Sequence, residues 1–348
     1  MATLTETAYY SRLGIKWGAI GLVIFIILRI LFFIALDAIR SAFPRTLKPD
    51  NRFGVLTKIA FPQTASPSAQ LTFKLQTISG DVPVASSAAR IYFMPKNRPN
   101  LLSLSRAQSF VSRLGFTSSP NQIADTSYRW IDLKSPLRTI EVDIVSNHFT
   151  LNYAFAQDLT LFAERQIPTP QQIQKEAQDF LQQSNLKNTD LNPQPQISYL
   201  KLVGDQLEPT TSQSVADAVK VDYFRKDIEG TQVVTDHTGD GIITFIFSGS
   251  RRADRRLLRV KYRYWPVDYN TQGVYKLKTT EVAYRELQAG AAYYAALPSN
   301  QTQIPITNVR LGYYDGSASQ LYLQPVFIFE GEKNFVSYVP AVAPPWTE

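Results

Sequence analysis

The chain has 348 residues, 36 Lys and Arg against 29 Asp and Glu, and a formal net charge of +7. Hydrophobic residues make up 44% and charged residues 19%, which excludes a disordered chain; the length calls for two domains or one duplicated unit. With no Cys and two His, His148 and His237, the chain excludes disulfides, thiolate metal sites, cysteine nucleophiles and His-rich metal centres.

Trp17–Leu36 is a run of 20 residues with one charge, Arg29. At about 1.5 Å per residue it reaches roughly 30 Å, the thickness of a hydrocarbon core. A central Arg costs about 2.5–3.5 kcal/mol on the insertion scale, and each Leu, Ile, Val or Phe contributes about −0.3 to −0.6. The run holds fourteen such residues, so insertion wins, and Arg29 can snorkel towards headgroups. No small-residue cleavage site follows, which favours a retained anchor with Trp17 near one interface. Arg12 and Lys16 before the run nearly balance Arg40, Arg45 and Lys48 after it, so flanking charge sets no orientation.

Residues 39–64 carry Pro44, Pro49 and Pro62 and read as a stalk that docks on the first module through Phe53–Leu56 and Ile59–Pro62. Alternation at period two predicts strands over Gln70–Ile78 and Ala89–Met94. Helical spacing over Leu104–Leu114 puts Ala107, Phe110, Val111 and Leu114 on one face, with Gly115 as a left-handed cap and Phe116 folding back. Strands follow at Ser127–Leu133, Leu137–Val145 and Phe149–Ala154. A second cycle opens with Thr169 as helix cap and Pro170 at the first helical position. The helix Gln171–Ser184 turns Ile173, Ala177, Phe180 and Leu181 inward, with Asn185 and Leu186 in the places of Gly115 and Phe116. Further strands are predicted at Gln196–Val203, Val219–Arg225, Gln232–Val234, Ile242–Phe247 and Leu257–Tyr264. Ala107-Gln108-Ser109-Phe110 matches Ala177-Gln178-Asp179-Phe180 at an offset of 70, and a third helix, Thr280–Gln288, stops at Gly290. A helix followed by antiparallel strands, repeated, is an α+β plan of tandem modules, here 65–164 and 165–345, after a tail (1–16), a transmembrane helix (17–38) and the stalk.

Several of these stretches resemble known families. Val221–Arg225 before Gly230 and Val233-Val234, with Gly241–Phe245, resembles PepSY-type modules. Tyr275–Ala283 with Leu287 and Gly290, and the ending Leu321–Gly331 then Tyr338–Val342, is similar to the late segment of YycH/YycI-type membrane regulators. The resemblance covers mainly residues 165–342 and its motifs are structural. It implies an N-terminal anchor with the N-terminus inside, an extracytoplasmic α+β body that binds partners, and no catalytic residues.

Asp236–Gly241 has Asp, Thr, Asp and Gly at the first, third, fifth and sixth places of a calcium loop, but Phe247 stands where the bidentate acid is needed. A Gly-rich hairpin turn between the strands at 232–234 and 242–247 explains it better. Arg251, Arg252, Arg255, Arg256, Arg259, Lys261 and Arg263 form a basic run among Tyr262, Tyr264 and Trp265. As a binding face it offers Arg255, Arg259, Lys261 and Arg263 to an anionic lipid or wall polymer, with Tyr262 and Trp265 as aromatic support. On a strand the cations fall on one side and Leu258, Val260, Tyr262 and Tyr264 on the other, which is also how a solvated sheet face reads. No nucleophile elbow, zinc helix, phosphate loop or dinucleotide fingerprint is present. The expectation is a non-enzymatic bacterial cell-envelope protein without cofactor or metal. It would bind a protein partner or itself; nucleic acid is not expected. The rivals are a glycan-acting enzyme with scattered carboxylates and a structural surface-layer protein.

Overall fold

A computed structural model describes residues 16–22, 24–33, 47–63, 71–77, 86–163, 166–186, 188–298 and 301–347. Met1–Leu47 and Lys48–Glu348 are separate compact units. In the first, α1 (Lys16–Phe33) has a mean hydropathy of 2.1 and is long and apolar enough to cross a membrane. It spans about 27 Å at the α-helical rise. Arg29 lies one turn before Phe33, with its guanidinium 5.8 Å from that ring centre. The tail before Lys16, the last part of the expected span and the start of the stalk (34–46) lie outside the described residues.

In the second unit the chain runs β1 (Thr72–Leu75), β2 (Ala88–Phe93), α2 (Ser103–Arg113), then β3 (Asn121–Gln122), β4 (Ser127–Ile131), β5 (Arg138–Asp143) and β6 (Phe149–Tyr153). Next come α3 (Pro170–Gln183), β7 (Gln196–Val203), β8 (Gln206–Thr210), β9 (Ala218–Tyr223), β10 (Val233–Val234), β11 (Ile243–Ser248), the short α4 (Ala253–Arg256) and β12 (Leu257–Tyr262). The last run is β13 (Asp268–Lys276), α5 (Thr280–Gln288), β14 (Tyr293–Ala296), β15 (Gln303–Tyr314), β16 (Tyr322–Gly331) and β17 (Val336–Pro340). Gln70 and Ile78, the ends of the first strand expected from the sequence, lie outside the described residues.

The three longer helices of this unit end alike. Phe116 N–H donates to the Val111 carbonyl, Leu186 N–H to Leu181, and Ala291 N–H to Glu286, each bond reaching back over a left-handed residue: Gly115, Asn185 or Gly290. These bonds satisfy carbonyls that would otherwise be orphaned at the helix end. At the start of α3, Thr169 and Gln172 exchange side-chain and backbone bonds in a capping box, with Pro170 at the first helical position.

Strands β3-β4-β5-β6-β12-β11-β9-β7-β8 form one nine-stranded sheet. Helices α2 and α3 both lie on one of its faces, and Ala107, Val111, Ile173 and Ala177 share a core with Trp130, Phe149, Phe245 and Val260. Strands on either side of residues 164–165, where the sequence suggests a module boundary, pair directly: Arg259 of β12 faces Asn152 of β6. The remaining strands build an eight-stranded sheet ordered β1-β15-β16-β17-β14, with β10 beside β15 and β2 between β13 and β16. Helix α5 packs there through Ala283 and Leu287.

Three expectations are corrected. The apolar residues of the stalk dock on the eight-stranded sheet, where β1 and β2 of the 65–164 region are joined by strands from late sequence, and not on a first module alone. Leu56 is fully buried in that core and its N–H donates to the Trp346 carbonyl, while Phe61 stacks on Tyr293 at 4.9 Å. The hairpin across Asp236–Gly241 does not form, because β10 pairs in parallel with β15 and only β11 enters the nine-stranded sheet. That segment is a crossover between sheets. Leu258 does not share a side with Val260: the register slips between Ile246 and Phe247, and the bulge turns Leu258 into a cluster with Tyr153, Leu200 and Ile246 on the opposite face.

Candidate binding cleft where the two sheets meet

The crossover is held from below by Asp222, next to last in β9 and 1% exposed. Its carboxylate accepts from Gly241 N–H at 2.9 Å and Thr244 Oγ1 at 2.6 Å, and Lys220 Nζ lies 3.1 Å away. Burial pushes this carboxyl above the ordinary range, against the pull of those three donors. Lys220 also donates to the Gly239 carbonyl at 2.8 Å and to Asp240 at 2.5 Å. Burial works to lower the ammonium pKa, but the two carboxylates overcome it and raise it. Gly241 packs so tightly that a Cβ would stand 2.6 Å from the Tyr223 carbonyl oxygen.

The other end of the segment is tied to the eight-stranded sheet. Asp236 accepts from the Tyr314 hydroxyl and, at 3.0 Å, from Ser317 N–H, while the Tyr293 hydroxyl donates to its carbonyl at 2.9 Å. Both oxygens of Asp236 and one of Asp240 are thus engaged by protein donors. Among the described residues no group of three or more His, Asp or Glu is placed to hold a metal ion.

Behind this segment Arg225, with a fully buried side chain, joins the sheets. It pairs with Asp190 and with Asp315 at 2.9 Å, donates to the Trp265 carbonyl at 2.7 Å, and lies 4.9 Å from the Tyr264 ring centre. Burial works against its charge, yet the two carboxylates hold its pKa above the usual value. Asp315, fully buried, is pushed up by burial more than Arg225 draws it down.

Between the crossover and β12 opens a cleft of about 200 Å³, lined by His237, Asp240, Thr244, Lys261, Arg263 and Ser317 among others. Here the structure brings together two motifs that lie apart in sequence. Lys261 and Arg263 have no acidic partner among the described residues; His237 and Arg263 are exposed, and Lys261 is half-buried. Of the carboxylates in the wall, both oxygens of Asp236 and one of Asp240 are engaged by protein donors, whereas Asp315 Oδ1 has no hydrogen-bond partner. The cleft thus sets two cations without acidic partners among the described residues beside some remaining acceptor capacity.

The other sequence-predicted site residues lie elsewhere. Arg255 reaches Asp158 at 3.3 Å and Thr160 Oγ1 at 2.9 Å. Arg256 forms a bidentate pair with Glu176. Arg259 donates to Asn152 at 3.3 Å and lines a separate recess with Phe155 and Leu207. Tyr262 is in the core on the opposite face from Lys261, its hydroxyl bonded to Asn188. Trp265 sits edge-on to His148 with ring centres 4.2 Å apart, and its indole N–H donates to the Ser317 carbonyl at 3.3 Å. Sequence reasoning missed Lys220, Asp222 and Arg225. The only signal for them is Lys and Asp at alternate positions of an otherwise apolar strand, on the side away from its valines.

No family model matches the chain, and no curated protein matches it. Among solved structures it is similar to an uncharacterized protein from Eubacterium rectale, with 9% identity, 77% of this chain and 87% of that chain covered, and a TM-score of 0.37. It is also similar to the YpeB C-terminal domain of Bacillus megaterium, with 12% identity, 72% and 95% covered, and a TM-score of 0.30.

Proposed function

We propose that this chain is a non-enzymatic cell-envelope protein, anchored by α1, whose 48–348 unit binds an acidic partner at the cleft. The observation that carries the reading is the pair of cations without an acidic partner among the described residues, Lys261 and Arg263, beside a wall in which Asp236 and one oxygen of Asp240 are already engaged. Such a site attracts acceptors and anionic groups. The anchor supports a membrane location, and the orientation, with the bulk of the chain outside and the N-terminus inside, rests on the resemblance to YycH/YycI-type regulators. The resemblance to PepSY-type and YycH/YycI-type proteins agrees with a binding role.

The test is crosslinking of the full chain in native membranes, followed by purification and mass spectrometry. The double charge reversal K261E/R263E is expected to cut recovery of the partner several-fold, because like charges would then face each other. Equal recovery from both proteins would refute the cleft as the contact. Recovery that falls instead in Arg255→Gln would move the contact to the Asp158 end of the sheet.

A further inference from the structure

The face of the nine-stranded sheet that carries α2 and α3 holds a second recess, of about 340 Å³, where the end of α3 comes beside α2. Its size falls in the range of small-molecule sites. Phe110, Tyr262 and Tyr264 line it, with Leu186 and Val142. The rings belong to one series: Phe110 lies 5.1 Å from Phe149, Phe149 stacks on Tyr262 at 5.2 Å and 12°, and Tyr262 lies 6.2 Å from Tyr264. Aromatic walls of this kind favour flat partners.

Arg106 and Arg113 also line the recess. With Phe110 they are spaced four and three residues apart, so all three lie along one side of α2. Neither arginine has an acidic partner among the described residues, and both are exposed. Ser184, which lines the recess too, is 2% exposed and its hydroxyl has no hydrogen-bond partner. Solvated arginines on a helix are ordinary by themselves. Here they accompany an aromatic recess of ligand size and a buried hydroxyl without a partner, and such hydroxyls are rare.

We propose that this recess binds a small flat anion: a planar apolar body seated among Phe110, Tyr262 and Tyr264, with one carboxylate or like charge held by Arg106 and Arg113. It is distinct from the cleft, since Tyr262 and Lys261 point to opposite faces of β12.

The test is calorimetric titration of the full chain, in nanodiscs of neutral lipid, with naphthoate and with its neutral counterpart naphthamide. Naphthoate is expected to bind about tenfold more tightly than naphthamide, the usual gain from a charge-assisted pair. The variant Arg106→Gln/Arg113→Gln should remove that advantage and leave naphthamide binding unchanged; both positions are exposed, so the fold is retained. K261E/R263E should bind both probes like the parent chain, whatever becomes of the cleft. No heat from either probe at about millimolar concentration would overturn the proposal. So would equal binding of naphthoate by the parent and the Arg106/Arg113 variant, or loss of binding in K261E/R263E.

Discussion

Acidification should expose how His148 is held. The imidazole is 7% exposed, edge-on to Trp265, with Nε2 3.3 Å from the Tyr264 carbonyl oxygen. A carbonyl only accepts, so Nε2 carries the proton of the neutral ring. Burial, aided by the charge of Arg263, lowers the pKa from 6.5 to about 4, against the opposing pull of Tyr264 and Asp143. Above 6.5 the ring is neutral whether folded or unfolded, and the fold keeps its full stability. Between 6.5 and about 4 the unfolded chain takes up the proton more readily, so stability falls with pH; below about 4 the loss levels off. The drop converts to about 3 kcal/mol at the low-pH limit and about 2 kcal/mol near pH 5. Carboxylates held low enter later. Asp143, for instance, is raised by burial but brought below its ordinary value by Thr126 and Ser146. Urea unfolding of the full chain in detergent, followed by tryptophan fluorescence across this range, measures the slope. His148→Gln keeps a donor near the Tyr264 carbonyl and removes the titration. It should be slightly less stable than the parent near neutral pH and more stable near pH 5, so that the two profiles cross. Parallel profiles would refute the assignment.

Removing Arg225 should be costly, because Asp315 stays buried without its cation. Arg225→Ala is expected to lose about 3–5 kcal/mol in urea unfolding, and Arg225→Met/Asp315→Asn to recover most of it. Gly241→Ala should lose about 1–3 kcal/mol, since the new Cβ meets Tyr223 backbone and not a movable side chain. Its melting temperature, and partner recovery as for K261E/R263E, should fall together. Thr169→Ala breaks the capping box of α3 and should cost about 1 kcal/mol by the same unfolding assay, with partner recovery unchanged.

Local chemistry was legible in the sequence where the information is local. The helix ends at Gly115, Asn185 and Gly290 follow from residues that tolerate a left-handed backbone next to an apolar one. Thr169-Pro170 announces the start of α3, and the alternation of Lys261 with Val260 and Tyr262 is what β12 shows. Pairing was not legible. Nothing near Val233-Val234 tells that they join Tyr313-Tyr314 in parallel and not β11, and that choice turned an expected hairpin into a crossover. The bulge at Leu258 depends on how β11 and β12 meet, and no window of β12 alone encodes it. The burial of Arg225 was hidden for the same reason. Its partners lie 35 residues before it and 90 after, and a lone Arg at the end of an apolar strand reads as exposed. Half of the cleft could be read as a basic alternation, but its opposite wall depends on where the crossover lands.

The two sheets also differ in when they can exist. All strands of the nine-stranded sheet lie between Asn121 and Tyr262, so that sheet can close before the last residues are synthesised. The eight-stranded sheet cannot. Thr72 meets its partner strand about 230 residues downstream, and Leu56 waits for Trp346. Until then β1 and β2 are strands with apolar side chains and open edges, the kind of segment that aggregates or needs a chaperone. A nascent chain stopped after Tyr262 would therefore hold a folded middle and a sticky beginning, and the final residues act as a clasp that ends this vulnerable interval.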